Sequence, residues 1–235
     1  MRIVLNDLYD YGLKIYQDED NFKFSLDSIL LAEFVECDDR YSYVDFCTGN
    51  APVPLILSTK TKAKIYGIEL QKEIYNLAIK SIKENNLESN INIINDNIKN
   101  VSKYLKDESI DVVTCNPPYF KYNDKSLINL TKEKAIARHE IEMNLDDIMK
   151  SAKYVLKNKG SLYLVHRCDR LEEIILSMNK HNFSIKKLQF IYTKDSKNSI
   201  MVLIKAIKSG NTGSLKVLPS INVNNYKSYK NIFGS

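Results

Sequence analysis

From Tyr41 onward, short apolar runs alternate with stretches whose apolar residues recur at helical spacing. Tyr41 to Phe46, Ala63 to Glu69, Ile91 to Asn95, Ile110 to Cys115 and Ser161 to His166 read as strands. Between them, Ala51 to Ser58, Gln71 to Asn86, Asn97 to Leu105, Asn144 to Leu156 and Asp169 to Lys180 read as helices. The helix from Gln71 is the plainest, with Ile74, Leu77, Ala78, Ser81 and Ile82 on one face. Prolines in the first turn of the Ala51 helix are tolerated, because the first helical N–H groups have no partner there anyway. The first 40 residues read as irregular apart from a helix over Asp27 to Glu36, capped by Ser25 or Asp27.

Alternating strands and helices with short connections predict a parallel sheet with helices on both faces. The C-terminal part breaks the pattern. Ser184 to Tyr192 and Ser199 to Ile207 are strands separated by a short polar loop, which forces antiparallel pairing. The expected fold is therefore α/β, a seven-stranded, mostly parallel sheet closed by an antiparallel hairpin. That layout resembles the class I, Rossmann-like methyltransferases. Three parts are expected: an N-terminal extension over residues 1–40 packing on the ligand site, the main domain over 41–208 and a tail over 209–235.

Ligands of such sheets bind beyond the carboxyl ends of the strands. Strand one runs out through Asp45-Phe46-Cys47-Thr48-Gly49-Asn50. Gly49 permits a tight turn with positive φ, and Asn50 tolerates one. Asp45 can fix the turn or receive an ammonium group. No G-x-G-x-x-G is present, which argues against a dinucleotide. Strand two ends at Glu69, placed to accept from ribose hydroxyls. Strand three ends Asn95-Asp96-Asn97, where a carboxylate can accept from an adenine amine and the next N–H can donate to its ring. Capping of the following helix is the competing role for Asp96.

The fourth strand end carries Asn116-Pro117-Pro118-Tyr119. Two prolines make a stiff, extended exit. The Asn116 side chain and the Pro117 carbonyl then converge as two acceptors, able to hold both hydrogens of a flat amine, with Tyr119 as a stacking platform that Phe120 extends. Loop, acid, acid and N-P-P-Y on four successive strand ends point to amine methylation dependent on S-adenosylmethionine (SAM).

The same residues resemble the bacterial tRNA (valine-specific) adenine-N6-methyltransferases. The resemblance rests on F-S-L-D-S-I-L-L at Phe24 to Leu31, D-F-C-T-G-N at Asp45 to Asn50, and V-T-C-N-P-P-Y-F at Val113 to Phe120. A-R-H-E at Ala137 to Glu140 and L-V-H-R at Leu164 to Arg167 also match. It implies a SAM site over Asp45, Cys47, Thr48, Gly49 and Asn50, with Glu69, Asp96 and Asn97 as ribose and adenine partners. Ser25 and Asp27 would wall the methionine end or cap the helix. Asn116, Pro117 and Tyr119 would act on the base, with Pro118, Phe120, Arg138 and His139 at the substrate. It also implies a target adenine at position 37 of a valine tRNA. One departure is Ala51, where the family more often has glycine.

Three other readings share the motif or the fold; one of them, a DNA adenine methyltransferase, would add a target-reading domain, for which no segment is long enough. A release-factor glutamine methyltransferase would carry a helical domain ahead of the fold, and only 44 residues precede Asp45. A catalytically silent RNA-binding protein is the third.

Composition changes this picture little. The net charge is +5, mild support for a polyanionic partner, but only five of the 34 basic residues are arginine. Four scattered cysteines without C-x-x-C read as reduced, mostly buried thiols, with no metal site expected. No long apolar run or leader-like N-terminus occurs, so a cytoplasmic monomer off the membrane is expected.

Overall fold

The computed structural model describes residues 2–19, 25–118, 144–193 and 196–223. Its chain opens with a two-stranded antiparallel hairpin, β1 (Ile3–Asp7) and β2 (Lys14–Asp18). Helix α1 (Leu26–Phe34) follows. The central alternation is β3 (Tyr43–Phe46), α2 (Pro52–Lys60), β4 (Ile65–Glu69), α3 (Lys72–Glu84), β5 (Ile91–Asn95), a 3-10 turn (Ile98–Lys103) and β6 (Ile110–Cys115). Next come α4 (Leu145–Val155), β7 (Leu156–Arg167), α5 (Leu171–Lys180), β8 (Phe183–Tyr192), β9 (Met201–Lys208) and β10 (Lys216–Asn222).

Among the described residues the main sheet has eight strands in the order β10-β8-β9-β7-β6-β3-β4-β5. Strands β5, β4, β3, β6 and β7 are parallel, and β9 runs antiparallel between β7 and β8. The mixed α/β architecture and the antiparallel hairpin are as expected. One strand is added at the edge: β10 lies parallel to β8, within the segment read as a tail. Its residues are mostly exposed, so they carry little of the apolar signal by which a strand is recognised.

Each face of the sheet has its own core. Leu8 and Ile15 of the hairpin join Ile29, Leu30, Leu31, Leu55, Ile56 and Ala78 of α1, α2 and α3 on one side. Val101, Ile148, Met149, Ala152, Ile174 and Met178 cover the other. The five residues expected on the inner face of α3 are its buried ones. Asn144 and Asp147 form a capping box that starts α4. Lys60 Nζ reaches the carbonyls of Ala32 and Val35 at 2.8 and 3.0 Å, so α2 closes the C-terminal end of α1.

The reading of the N-terminal residues as irregular is corrected. The hairpin holds only five residues per strand, and outside partners satisfy its edge. Tyr16 N–H donates to Ser81 Oγ and Lys14 N–H to Asn85 Oδ1, both at 2.9 Å, and Asn85 Nδ2 returns a bond to the Lys14 carbonyl at 2.7 Å. A short two-stranded ribbon is marginal alone; helix α3 supplies its support. The thiols also differ from expectation, since only Cys115 is fully buried while Cys37, Cys47 and Cys168 are half-buried.

Candidate active site at the strand ends

Parallel register brings the predicted residues to one edge. Phe46 pairs with both Ile68 and Cys115, and Glu69 pairs with Asn95. The Asp45–Asn50 loop, Glu69, Asp96 and Asn116 therefore leave the sheet on the same side.

The loop turns sharply. Positive φ falls at Cys47, Gly49 and Ala51 (58°, 59° and 72°). Gly49 takes the positive φ read for it; Asn50, which would tolerate one, does not, and the residue after it takes the left-handed shape. That shape suits glycine, so the alanine is strained there. Thr48 lies against Gly67 of β4, where an added Cβ would stand 3.0 Å from Thr48 Oγ1. Thr48 Oγ1 donates to Asp45 Oδ2 at 2.7 Å, and Thr114 Oγ1 of β6 donates to Asp45 Oδ1 at 2.5 Å. Thr114 is a site-building residue that the motifs do not single out. Alternation along β6 does place it two residues before Asn116, on the same face.

Asp45 is buried, and burial pushes its carboxyl up to about 7, with the Glu69 charge adding and the two hydroxyls opposing. Burial likewise raises Glu69, against the pull of its backbone donors. Glu69 Oε2 accepts from Gly49 N–H and Oε1 from Gln71 N–H, each at 2.9 Å. It thus ties the loop to the end of β4. Neither acid forms an ion pair among the described residues. Asn50 is fully buried. Its Nδ2 donates to the Tyr16 carbonyl at 2.8 Å, while Oδ1 has no hydrogen-bond partner among the described residues.

Asp96 is half-exposed and held below the usual carboxylate range, first by Asn100 and then by Tyr104. Its Oδ1 accepts from Asn100 Nδ2 at 2.8 Å and from Asn97 N–H at 2.7 Å, and its Oδ2 from Tyr104 Oη at 2.8 Å. The capping role falls one residue later: Asn97 Oδ1 accepts from Lys99 N–H at 3.0 Å.

Asn116 is half-buried, Pro117 buried and Pro118 half-buried. Asn116 Nδ2 donates to Ser28 Oγ, 2.8 Å away, across 88 residues of sequence. Ser25 stands at the N-cap of α1 without a side-chain cap bond, and its carbonyl accepts from Ser28 N–H at 3.2 Å. Asp27 lies in the first turn of that helix, half-buried. Tyr119, Phe120, Arg138 and His139 lie outside the described residues. Among those that are described, no group of three or more His, Cys, Asp or Glu is arranged to hold a metal, and no helix is long and apolar enough to cross a membrane.

Residues 38–216 match the methyltransferase domain family. The chain belongs to that family. Its curated relatives include a tRNA1(Val) (adenine(37)-N6)-methyltransferase of Phocaeicola vulgatus, 22% identical over 190 residues, 81% of this chain and 79% of that protein. The protein of the same name from Cytophaga hutchinsonii is 23% identical, over 78% of this chain and 76% of its own. The resemblance carried by the short motifs thus extends across most of the chain. Among solved structures, a predicted O-methyltransferase of Agrobacterium tumefaciens shares the fold of this methyltransferase with a TM-score of 0.63 at 19% identity, covering 83% of this chain and 86% of that one. The tRNA m1G37 methyltransferase of M. jannaschii does so with a TM-score of 0.61 at 16% identity, over 89% and 57%.

Proposed function

We propose that this methyltransferase transfers a methyl group from SAM to the N6 amine of an adenine in tRNA, at position 37 of a valine tRNA. The observation that carries the reading is the placement of Asn116 and the double-proline exit of β6 beside the Asp45–Asn50 loop. The relatives of that name support the choice of substrate.

The residues present fit SAM. Among the described residues, Asn50 Oδ1 is a buried acceptor without a hydrogen-bond partner, and the buried acids Asp45 and Glu69 lack an ion-paired cation. Acceptors in that condition cost stability until a donor or a cation meets them. A ligand with an ammonium and two ribose hydroxyls supplies both. Asp45 and Asn50 would hold the ammonium end. Glu69 has lone pairs to spare beyond the Gly49 and Gln71 amides and would accept from the ribose. Asp96 and the Asn97 N–H would face the adenine, with Cys47, Thr48 and Gly49 giving the loop its close approach and Ser25 and Asp27 walling the pocket.

When bound, SAM supplies an activated methyl group on its sulfonium. The chain's residues do the rest by orientation. Asn116 Oδ1 and the Pro117 carbonyl would each accept one hydrogen of the adenine amine. That favours the pyramidal, charge-developing nitrogen and holds it in line for transfer. The rigid Pro117-Pro118 backbone keeps the two acceptors at fixed separation. Tyr119 and Phe120 are proposed as the base platform, and Arg138 and His139 as contacts to the RNA.

The test is nucleoside mass spectrometry of tRNA from cells lacking this protein, with add-back of purified enzyme and SAM. The expected result is loss and recovery of one N6-methyladenosine in tRNA, with binding that weakens steeply as salt rises. An unchanged nucleoside profile would overturn the assignment. Methylation of a release-factor glutamine instead would select the other substrate of the N-P-P-Y motif.

A further inference from the structure

The terminal amide of an asparagine is two-fold ambiguous. Rotation by half a turn exchanges an acceptor oxygen for a donor nitrogen at the same place. For a residue that has to accept from an amine, the wrong rotamer sets donor against donor. Something must therefore fix which end of Asn116 faces the substrate.

Ser28 Oγ stands 2.8 Å from Asn116 Nδ2. Ser28 is 6% exposed and sits in the first turn of α1, whose next three residues, Ile29, Leu30 and Leu31, are in the core. Its hydroxyl is thereby anchored from a helix outside the main sheet. A serine at a buried helical position is disfavoured relative to alanine, both in propensity and in desolvation, unless its hydroxyl is used. A second amide of the site is also bonded from the N-terminal segment, there by an acceptor-only carbonyl. Asn50 Nδ2 donates to the Tyr16 carbonyl, from the same N-terminal segment. In both residues the nitrogen is bonded by residues 16–28, which turns the oxygen the opposite way.

We propose that Ser28 is the positioning residue for Asn116: its hydroxyl, bonded to the Nδ2 end of the amide, holds the side chain in the plane from which Oδ1 meets the substrate amine. This rests on the reading of Asn116 as the amine acceptor. On this reading Ser28 acts through Asn116.

The experiment is a double-mutant cycle in methyl transfer to tRNA isolated from cells lacking this protein. Ser28→Ala should lower kcat by about tenfold to a hundredfold, the scale of a misaligned reacting group, with SAM affinity by titration within about twofold of wild type. Ser28→Thr keeps the hydroxyl and should stay within about fivefold of wild type. Added to Asn116→Ala, the Ser28→Ala change should slow turnover by no more than about twofold further, because its effect passes through the missing amide. Additive losses, wild-type turnover in Ser28→Ala, or a folded Ser28→Thr as slow as Ser28→Ala would overturn the proposal. The side-chain NH2 resonances of Asn116 give a readout independent of the substrate. They should shift in Ser28→Ala and hold in Ser28→Thr, and unchanged resonances in Ser28→Ala would overturn it too. If wild-type enzyme leaves that tRNA unmethylated, the functional reading fails, while the NMR comparison still decides the role of Ser28.

Discussion

The exit loop of β3 and the N-terminal segment serve the same site by different means. The loop from Asp45 to Ala51 takes its shape from its own turn and from the strands beside it. Three positive φ angles, a threonine bonded back to Asp45 and a Gly49 amide on Glu69 hold it. The segment from Ile3 to Phe34 shapes itself far less. Its hairpin leans on Ser81 and Asn85 of α3, and its helix is closed by Lys60 of α2. Yet it bonds both asparagine amides of the site. Local turn chemistry and the neighbouring strands shape the loop, and a distant segment supplies the groups that its Asn50 and Asn116 nitrogens meet.

The sharpest way to break this comparison is at Asn116. Asn116→Ala should lower single-turnover methyl transfer by about two to three orders of magnitude and leave SAM binding nearly unchanged, since only transition-state alignment is lost. Near-normal turnover would mean that orienting this amide is not what the two regions do together.

A second test asks whether the N-terminal segment is structural. Ile15 is fully buried at the hairpin's contact with the main body. Ile15→Ala should destabilise the fold by about 2–5 kcal/mol, read by denaturant unfolding. A loss well below that range would show the hairpin to be loosely attached.

Glu69→Ala strikes the loop and the proposed ribose contact together. It should weaken SAM binding by about 1.5–3 kcal/mol by titration. Asp96→Ala should cost less, because Asp96 is half-exposed and its charge is screened by water. Equal affinities in wild type and both variants would place the ligand elsewhere.

Asp45 gives the loop a pH signature. Its ordinary value is below 4 and its folded value about 7, so the native state binds the extra proton between them. Its contribution to stability in the free protein is complete below the unfolded value and is lost as pH rises through about 7. A cationic ligand favours the carboxylate, so SAM affinity should fall as pH drops below that point, by at most about tenfold per unit. Asp45→Asn should flatten that slope. A wild-type affinity independent of pH between 5 and 8 would remove Asp45 from the ammonium contact.

The smallest effect is expected at Ala51, whose left-handed backbone is the loop's departure from glycine. Ala51→Gly should stabilise the protein by about 0.5–1 kcal/mol, the strain relieved less the added freedom of the unfolded chain. Destabilisation would show that the methyl group's packing outweighs its strain.

What the sequence by itself determined is whatever one stretch of chain encodes. Apolar spacing marked the alternation from β3 to α5 and the buried face of α3. Turn chemistry marked Gly49, and the strand ends marked Asp45, Glu69, Asp96 and Asn116. Parallel strands with connections of one hand leave those ends little choice but a common edge. Tertiary structure alone decided the rest. The β1–β2 hairpin and the edge strand β10 are short or exposed, so neither carries enough apolar pattern to be read alone. Positive φ fell at Ala51 and not at Asn50, whose amide is bonded to Tyr16. Thr114 and Ser28 matter through bonds to partners 69 and 88 residues away. A hydrogen bond between distant residues leaves no periodicity in the sequence. It exists only once the hydrophobic effect has brought the two segments together.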